Sequence, residues 1–537
     1  MFSAKSSWAF MCLALVIAPL KPCFAADERQ SMEELRNTVI NLLQALVDQG
    51  IITKEKANQM VKSAQDKAAA DAAAIAKADE GAVRVPYVPQ IVKDEISKQV
   101  AETVKPEVVA DVVKEAKDEK WGVPAALPAW LADTRLYGSV MLREEAVLYG
   151  SGNTPNYYYN YNTVNSAGGI VKAGPAAFLD TSVDQYRFRG AVRLGVESDF
   201  GDSIKAGMRL STGNTSDLVS PTQTLDGTPP YSFGIDNLYI RFDQRDATRF
   251  PWLSAIGGRF TSPWFSPTDL IFHKQLNFNG VAITGRYGFE HEGPDQSHLF
   301  MTMAAMPIET IALSTGDKWL YAGQLGTIIN TTDNQRLEFA VAYYDFLNYE
   351  GRENAPNSTL LDYTAPLFFR TGNTVFDIRN DNDPTTNLFA VASKFRLVNV
   401  AATYNIAFPR YSLTFNADAV RNIGFNENEI FARTGMEVAP RTKGYQAEVS
   451  FGDPSVLTAG TWRALFGYRY LQRDAVIDAF TDSDFHYGGT DAQGYYFIVD
   501  YGIVNRVWAR LHYMSSNQID LAPYAVDTIQ LDLNTRF

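Results

Sequence analysis

Cysteine is almost missing: in 537 residues only Cys12 and Cys23 carry a thiol. Both lie in an opening segment made of Lys5, an apolar stretch from Trp8 to Leu20, and the small residues Ala25 and Ala26. That is the layout of a cleaved export signal. Cleavage after Ala25 leaves a chain with no thiol, so no disulfide can brace it in the oxidising compartment it is sent to. Lipidation at Cys23 is disfavoured, because Lys21 and Pro22 stand where small residues are needed. Long hydrophobic runs are also lacking. Hydrophobic residues make up 46% of the chain, yet no run of about 20 comes after the signal, which excludes a helical membrane protein. Runs rich in lysine and arginine are absent, and the net charge is -13; nucleic acid is therefore not expected as a partner.

Beyond the signal the period is at first helical. Ser31 and Glu34 have capping-box spacing, and Leu35, Val39, Leu42, Leu43, Leu46 and Val47 recur at three and four before Gly50. Thr53 caps a second, alanine-rich pattern to about Ala78, and Val92, Ile96, Val100 and Val104 form a third before Pro106. Such stripes need partners. Two readings stay open: a periplasmic coiled coil that trimerises the protein or touches the cell wall, and an intramolecular hairpin.

From Thr134 the period changes to two. Tyr186, Phe188, Gly190, Val192, Leu194 and Val196 alternate with Arg187, Arg189, Ala191, Arg193, Gly195 and Glu197. One face is apolar and the other charged, as in a soluble sandwich or a barrel that turns its apolar face to lipid. The C-terminus favours the barrel. Ile529, Leu531, Leu533 and Phe537 share one face, with Gln530, Asp532, Asn534 and Arg536 on the other, and the chain stops at the aromatic. This resembles an outer-membrane assembly signal, and soluble chains rarely end a strand on their last residue.

Two-fold segments fall at 134–148, 185–200, 203–212, 233–243, 252–260, 280–287, 297–306, 319–332, 335–347, 395–407, 410–422, 443–452, 460–472, 494–503, 505–516 and 525–537. Sixteen is an even number, as bacterial barrels require. Short turns such as Gly201-Asp202, Asp333-Asn334 and Phe408-Pro409 alternate with long connections at 149–184, 348–388 and 473–493. The expected fold is an all-β transmembrane barrel of about 16 antiparallel up-and-down strands, preceded by an α-helical periplasmic extension. The organisation reads as signal peptide 1–25, helical region 26–130 and outer-membrane barrel 131–537. Both termini then face the periplasm.

A barrel of this width is too wide for side chains to fill, so its default is an aqueous channel. Strand phase turns Arg187, Arg189, Arg193, Arg209, Arg241, Arg259, Arg463, Arg469, Arg506 and Arg510 inward, with Arg135, Arg143 and Lys205. The inward acids are fewer: Glu197, Glu338, Asp418, Glu448 and Asp532. That surplus predicts a weak preference for anions; pairing with other acids would cancel it. The connection 261–279 is too apolar for a solvated loop and is the third on the external side. It is expected to fold inward, with Trp264, Phe265 and Phe272 on the inner wall and Asp269, His273 and Lys274 at the opening. The alternative is a loop packed at a trimer contact.

G-R-F-T-S-P-W-F at Gly258 to Phe265, the run from Asp474 to Asp491, and V-R-V-P-Y-V-P-Q-I-V-K-D-E-I at Val83 to Ile96 resemble the putative porin family of Gram-negative outer membranes. The likeness covers nearly the whole mature chain. It implies a barrel behind a periplasmic helical region and a porin role, without naming a solute. The expected partners are outer-membrane lipid, small hydrophilic solutes, further copies in a homotrimer and the cell wall. No cofactor or metal is expected. Asp482, Asp484, His486 and Asp491 lack the spacing of a calcium loop, although carboxylates there leave a cation site open. Two rivals remain: a tether holding the outer membrane to the cell wall, and an outer-membrane hydrolase. The second is weakened because the barrel segment holds no G-x-S-x-G motif.

Overall fold

A computed structural model describes residues 133–537, apart from 214–217, 219–220, 228–229, 290–294 and 313–314, together with eight residues between Glu55 and Lys67. Those eight are helical and exposed. The signal peptide and the remainder of the helical arm lie outside the described residues.

One closed antiparallel sheet dominates, in which sixteen long strands form the barrel and the two-residue strand Gln223–Thr224 lies beside the second of them. The strands are β1 (Thr134–Tyr149), β2 (Gln185–Phe200), β3 (Ile204–Thr212), β4 (Phe233–Arg245), β5 (Pro251–Thr261), β6 (Asn277–Gly288), β7 (His298–Glu309) and β8 (Lys318–Thr332). They continue with β9 (Gln335–Leu347), β10 (Phe395–Ala407), β11 (Ser412–Asn422), β12 (Lys443–Gly452), β13 (Trp462–Leu471), β14 (Ala492–Val504), β15 (Val507–Gln518) and β16 (Ala525–Arg536). The largest departures from the sequence expectation are three residues, at Asn277 against 280 and at Glu309 against 306.

Each strand pairs with its sequence neighbour, and β1 pairs with β16 to close the ring, Ser139 opposite Arg536 and Tyr149 opposite Val526. Closure leaves no unpaired edge, which a sheet in lipid cannot tolerate. The seam ends on Phe537, whose carbonyl accepts from Gly138 N at 3.0 Å and whose N–H donates to Gly138 O at 3.1 Å. A Cβ at Gly138 would meet the Phe537 ring at 2.4 Å and the Arg193 main-chain oxygen at 2.8 Å, so any larger residue would push both aside at the seam.

Alternation sorts the residues of each strand onto two faces. Outward are Tyr186, Ile240, Ile283, Met303, Leu325, Val341, Phe466 and Leu531, all exposed. Ile529, Leu533 and Phe537 share that outer face and are also exposed. Inward are buried polar groups such as Glu145, Gln324, Asp418, Gln446, Asp500 and Gln530. Polar side chains are thus buried inside and apolar ones exposed outside, the reverse of a water-soluble sandwich and the arrangement lipid demands. Among the described residues no helix is long and apolar enough to cross a membrane.

One end of the barrel carries tight turns, with Gly201 and Arg506 at φ of 68° and 66°. Alternation puts Arg506 on the interior wall, but it sits exposed in the two-residue turn between β14 and β15. The expectation fails there because the sequence alternation runs through that turn unbroken. The other end carries long loops that fold on each other. In the first, α1 (Tyr161–Ala167) is capped by Asn160 and exchanges hydrogen bonds between Asn162 and the main chain of Phe369. In another, α3 (Glu427–Thr434), which comes after the short α2 (Ile170–Ala173) in the chain, inserts Ile430 against Phe376, Ile378 and Ala390. Neither loop carries a period in the sequence that announces its helix.

Candidate channel lumen

The segment between β5 and β6 runs across the inner wall. Trp264 packs edge-on against Tyr344 at 5.3 Å, and Phe272 lies at 5.3 Å from the same ring and 5.2 Å from Phe278. Leu270, Ile271 and Leu276 join inward residues of β7 to β11, including Met306, Leu320, Leu397 and Val420, in one buried cluster. Polar anchors fix its height. The Phe265 N–H donates to Gln324 Oε1 at 2.7 Å, Gln324 Nε2 returns a bond to Phe265 O at 2.9 Å, and Thr268 Oγ1 donates to Asp418 at 3.0 Å. Phe265 is half-buried, and Lys274 is exposed.

A second segment, between β13 and β14, meets the first. The His273 N–H donates to Phe480 O at 2.9 Å, and His273 Nε2 stands 3.7 Å from Asp482. Asp269 accepts from the Lys274 N–H, with the Lys274 ammonium 4.0 Å away. Burial pushes the Asp269 carboxyl up, but Lys274, His273 and Arg469 outweigh it and hold it below its ordinary value.

The inward arginines are met by carboxylates, several of which strand phase alone does not place inside. Arg143 grips Asp532 through two bonds of 2.7 and 2.9 Å and reaches Asp484 at 2.9 Å. Glu145 receives Arg187 at 2.6 Å and Arg189 at 3.2 Å. Asp236 receives Arg209 at 2.7 Å and Arg193 at 3.6 Å, while Arg259 donates to its main-chain carbonyl at 3.1 Å. Asp500 takes Arg510 at 2.6 Å and Arg463 at 3.3 Å. Arg241 pairs with Asp243, and Arg469 spans Gln446 and Asp482 with its guanidinium over the Phe485 ring.

Glu145 and Asp500 could have been found, since each holds the inward phase of its own strand. Asp236 could not, because the β3–β4 register shifts between Arg209 and Leu210 and a bulge breaks alternation. Asp482 and Asp484 are loop residues with no periodicity to read.

The matching family spans residues 36–537 and is described as putative porin. The chain belongs to the putative porin family. Membership makes the barrel an outer-membrane porin, a channel protein. No curated protein matches the chain. Similar solved structures include Pseudomonas putida OprB at high pH, with 11% identity, 78% of this chain and 97% of that chain covered, and a TM-score of 0.45. Two others are the outer-membrane channel DcaP of Acinetobacter baumannii (11% identity, 75% and 97% covered, TM-score 0.39) and Salmonella typhi OmpF with daunomycin (12%, 75% and 97%, 0.39). These likenesses are too distant to carry weight.

Within the porin, the acidic loop 482–491 does not converge on one point. Asp484 binds Arg143, Asp482 faces Arg469 and His273, and Asp491 accepts from Gln518 Nε2 at 2.7 Å. His486 bonds Ser516 and Gln518, and burial lowers its imidazole to about 4. Among the described residues no cluster of acids, histidines or cysteines is arranged to hold a metal ion.

Proposed function

We propose that this porin is a water-filled channel through which small hydrophilic solutes diffuse passively, with a weak preference for anions. The observation that carries the preference is the sharing of carboxylates: Glu145 serves Arg187 and Arg189, Asp236 serves Arg193 and Arg209, and Asp500 serves Arg463 and Arg510. Each shared acid leaves one positive charge uncompensated. Asp243, shared by Arg241 and Arg245, adds a fourth, while Arg143 with its two acids and the inward Asp418 and Glu448, which take hydrogen bonds but no ion pair, each offset one. A modest positive excess on low-dielectric walls raises the local concentration of anions, and the pairing keeps the effect small.

The waist is set by the inward segment 261–279, where Asp269, His273 and Lys274 meet the loop 472–491. Solutes are steered through without bond chemistry, so the protein is not an enzyme. Residues 1–25 are the export signal and 26–130 a periplasmic arm; both termini face the periplasm, the long loops face outside, and the barrel assembles as a homotrimer. The C-terminal face of Ile529, Leu531, Leu533 and Phe537 is read by the assembly machinery.

Swelling of proteoliposomes in isosmotic solutes tests the reading. Neutral and anionic solutes of equal size should enter readily, the anion faster by a factor of about two to five, since each 1.4 kcal/mol is about tenfold and screened wall charges supply less than that. Faster entry of the cation would overturn the preference, and no swelling with any solute would overturn the channel.

A further inference from the structure

The outward face of β10 to β12 breaks the apolar rule near its long-loop end. Arg396, Arg421 and Lys443 all occupy outward, exposed positions there. Arg421 lies opposite Val398 on one side and opposite Lys443 on the other, so the three cations form one patch across adjacent strands. Arg396 is matched by Asp345 at 3.3 Å. Arg421 and Lys443 have no acidic partner among the described residues. Two like charges directly opposite on a sheet destabilise it, so a pair kept in that position, facing lipid, calls for an anion from outside the chain.

The chemistry beneath the pair is graded. One rung down, Tyr445 and Tyr470 stack at 5.2 Å, with Tyr468 beside them at 6.3 Å, at the level where aromatic girdles meet headgroups. One rung further, Ala402, Ala417 and Ala447 lie side by side on three strands. Leu337, Tyr404, Phe415, Val449 and Phe466 wall them into an outward groove of about 460 Å³. Arg421 and Ala417 are four residues apart, or about 14 Å along the strand. Charge, amphipathic ring and apolar trough thus lie along one line down the barrel, in the order phosphate, interface and acyl chain.

We infer that this face is a specific binding site for a phosphate-bearing lipid of the outer leaflet, with the phosphate between Arg421 and Lys443 and one acyl chain in the alanine groove. A second copy of the chain would fill the trough equally well but would leave the two cations desolvated unless it brought an acid to them.

The inference rests on the proposed orientation, with the long loops outside, and the two can fail separately. Native mass spectrometry of the full-length protein in detergent, titrated with bisphosphorylated lipid A or with the same lipid stripped of phosphate, reads the site whichever way the barrel faces. The wild type should bind the phosphorylated form at least tenfold more tightly. An Arg421→Gln/Lys443→Gln variant, checked for folding by heat-modifiable migration, should bind both forms alike, and Ala417→Trp should weaken both. No discrimination by the wild type, or discrimination kept by the double variant, overturns the site. A loss of oligomer mass with lipid binding unchanged gives the face to a second copy instead. Orientation is read independently by labelling an Asn357→Cys variant in intact cells with an impermeant maleimide; Asn357 is exposed in the long loop between β9 and β10.

Discussion

Arg143 shows how much one inward residue does. It stands on β1, holds Asp532 of β16 across the closing seam, and holds Asp484 of the loop between β13 and β14. Its surroundings are nearly dry, with 8% of the residue exposed. Removing one partner of a buried pair strands the other, at a cost of about 3–5 kcal/mol. Arg143→Met should therefore lower the temperature at which the folded band converts to the unfolded one in heat-modifiability gels. Adding Asp532→Asn should recover part of the loss, because the uncompensated charge is then gone. An unchanged conversion temperature in the single variant would show that seam pairing across the backbone alone sets stability.

At the scale of elements, the interior is organised by loops that the strands merely support. Asp478 is the sensitive point: it is buried, its N–H donates to Asn373 Oδ1 at 2.8 Å, and it neighbours Asp474, which accepts from Thr374. Burial pushes the Asp478 carboxyl up to about 7 and, against the side-chain and main-chain hydrogen bonds from Thr374, the Asp474 carboxyl to about 6. An acid whose folded pKa is raised binds more protons when packed, so packing is strongest below about pH 4, near the ordinary aspartate value, and weakens as pH rises toward 7. Limited proteolysis of the loop 472–491, normalised to an unfolded peptide at each pH, should be faster at pH 8 than at pH 5, and Asp478→Asn should flatten most of that difference. Equal normalised rates in the wild type would contradict the assignment.

These loops also mark where the sequence stops being legible. Strands announce themselves through a period of two, and Gln185–Phe200, Gln335–Leu347 and Phe395–Ala407 have the bounds expected from alternation alone. The apolar content of 261–279 signals a packed segment. Nothing local marks Asp236 at its bulge or Asp482 and Asp484 in their loop as partners for arginines distant in the chain, because an ion pair across a barrel leaves no trace in spacing. Strand phase alone accordingly makes the inner wall more positive than it is.

At the scale of the whole barrel, apolar residues outside, polar residues inside and a seam closed between β1 and β16 make a closed sheet that asks for water within and lipid without. Single-channel recording of the refolded protein in a planar bilayer, with a salt gradient to read the reversal potential, tests this most directly. The account predicts steady open-channel steps and a small reversal potential on the anion side. A silent bilayer, or a reversal potential on the cation side, would contradict it.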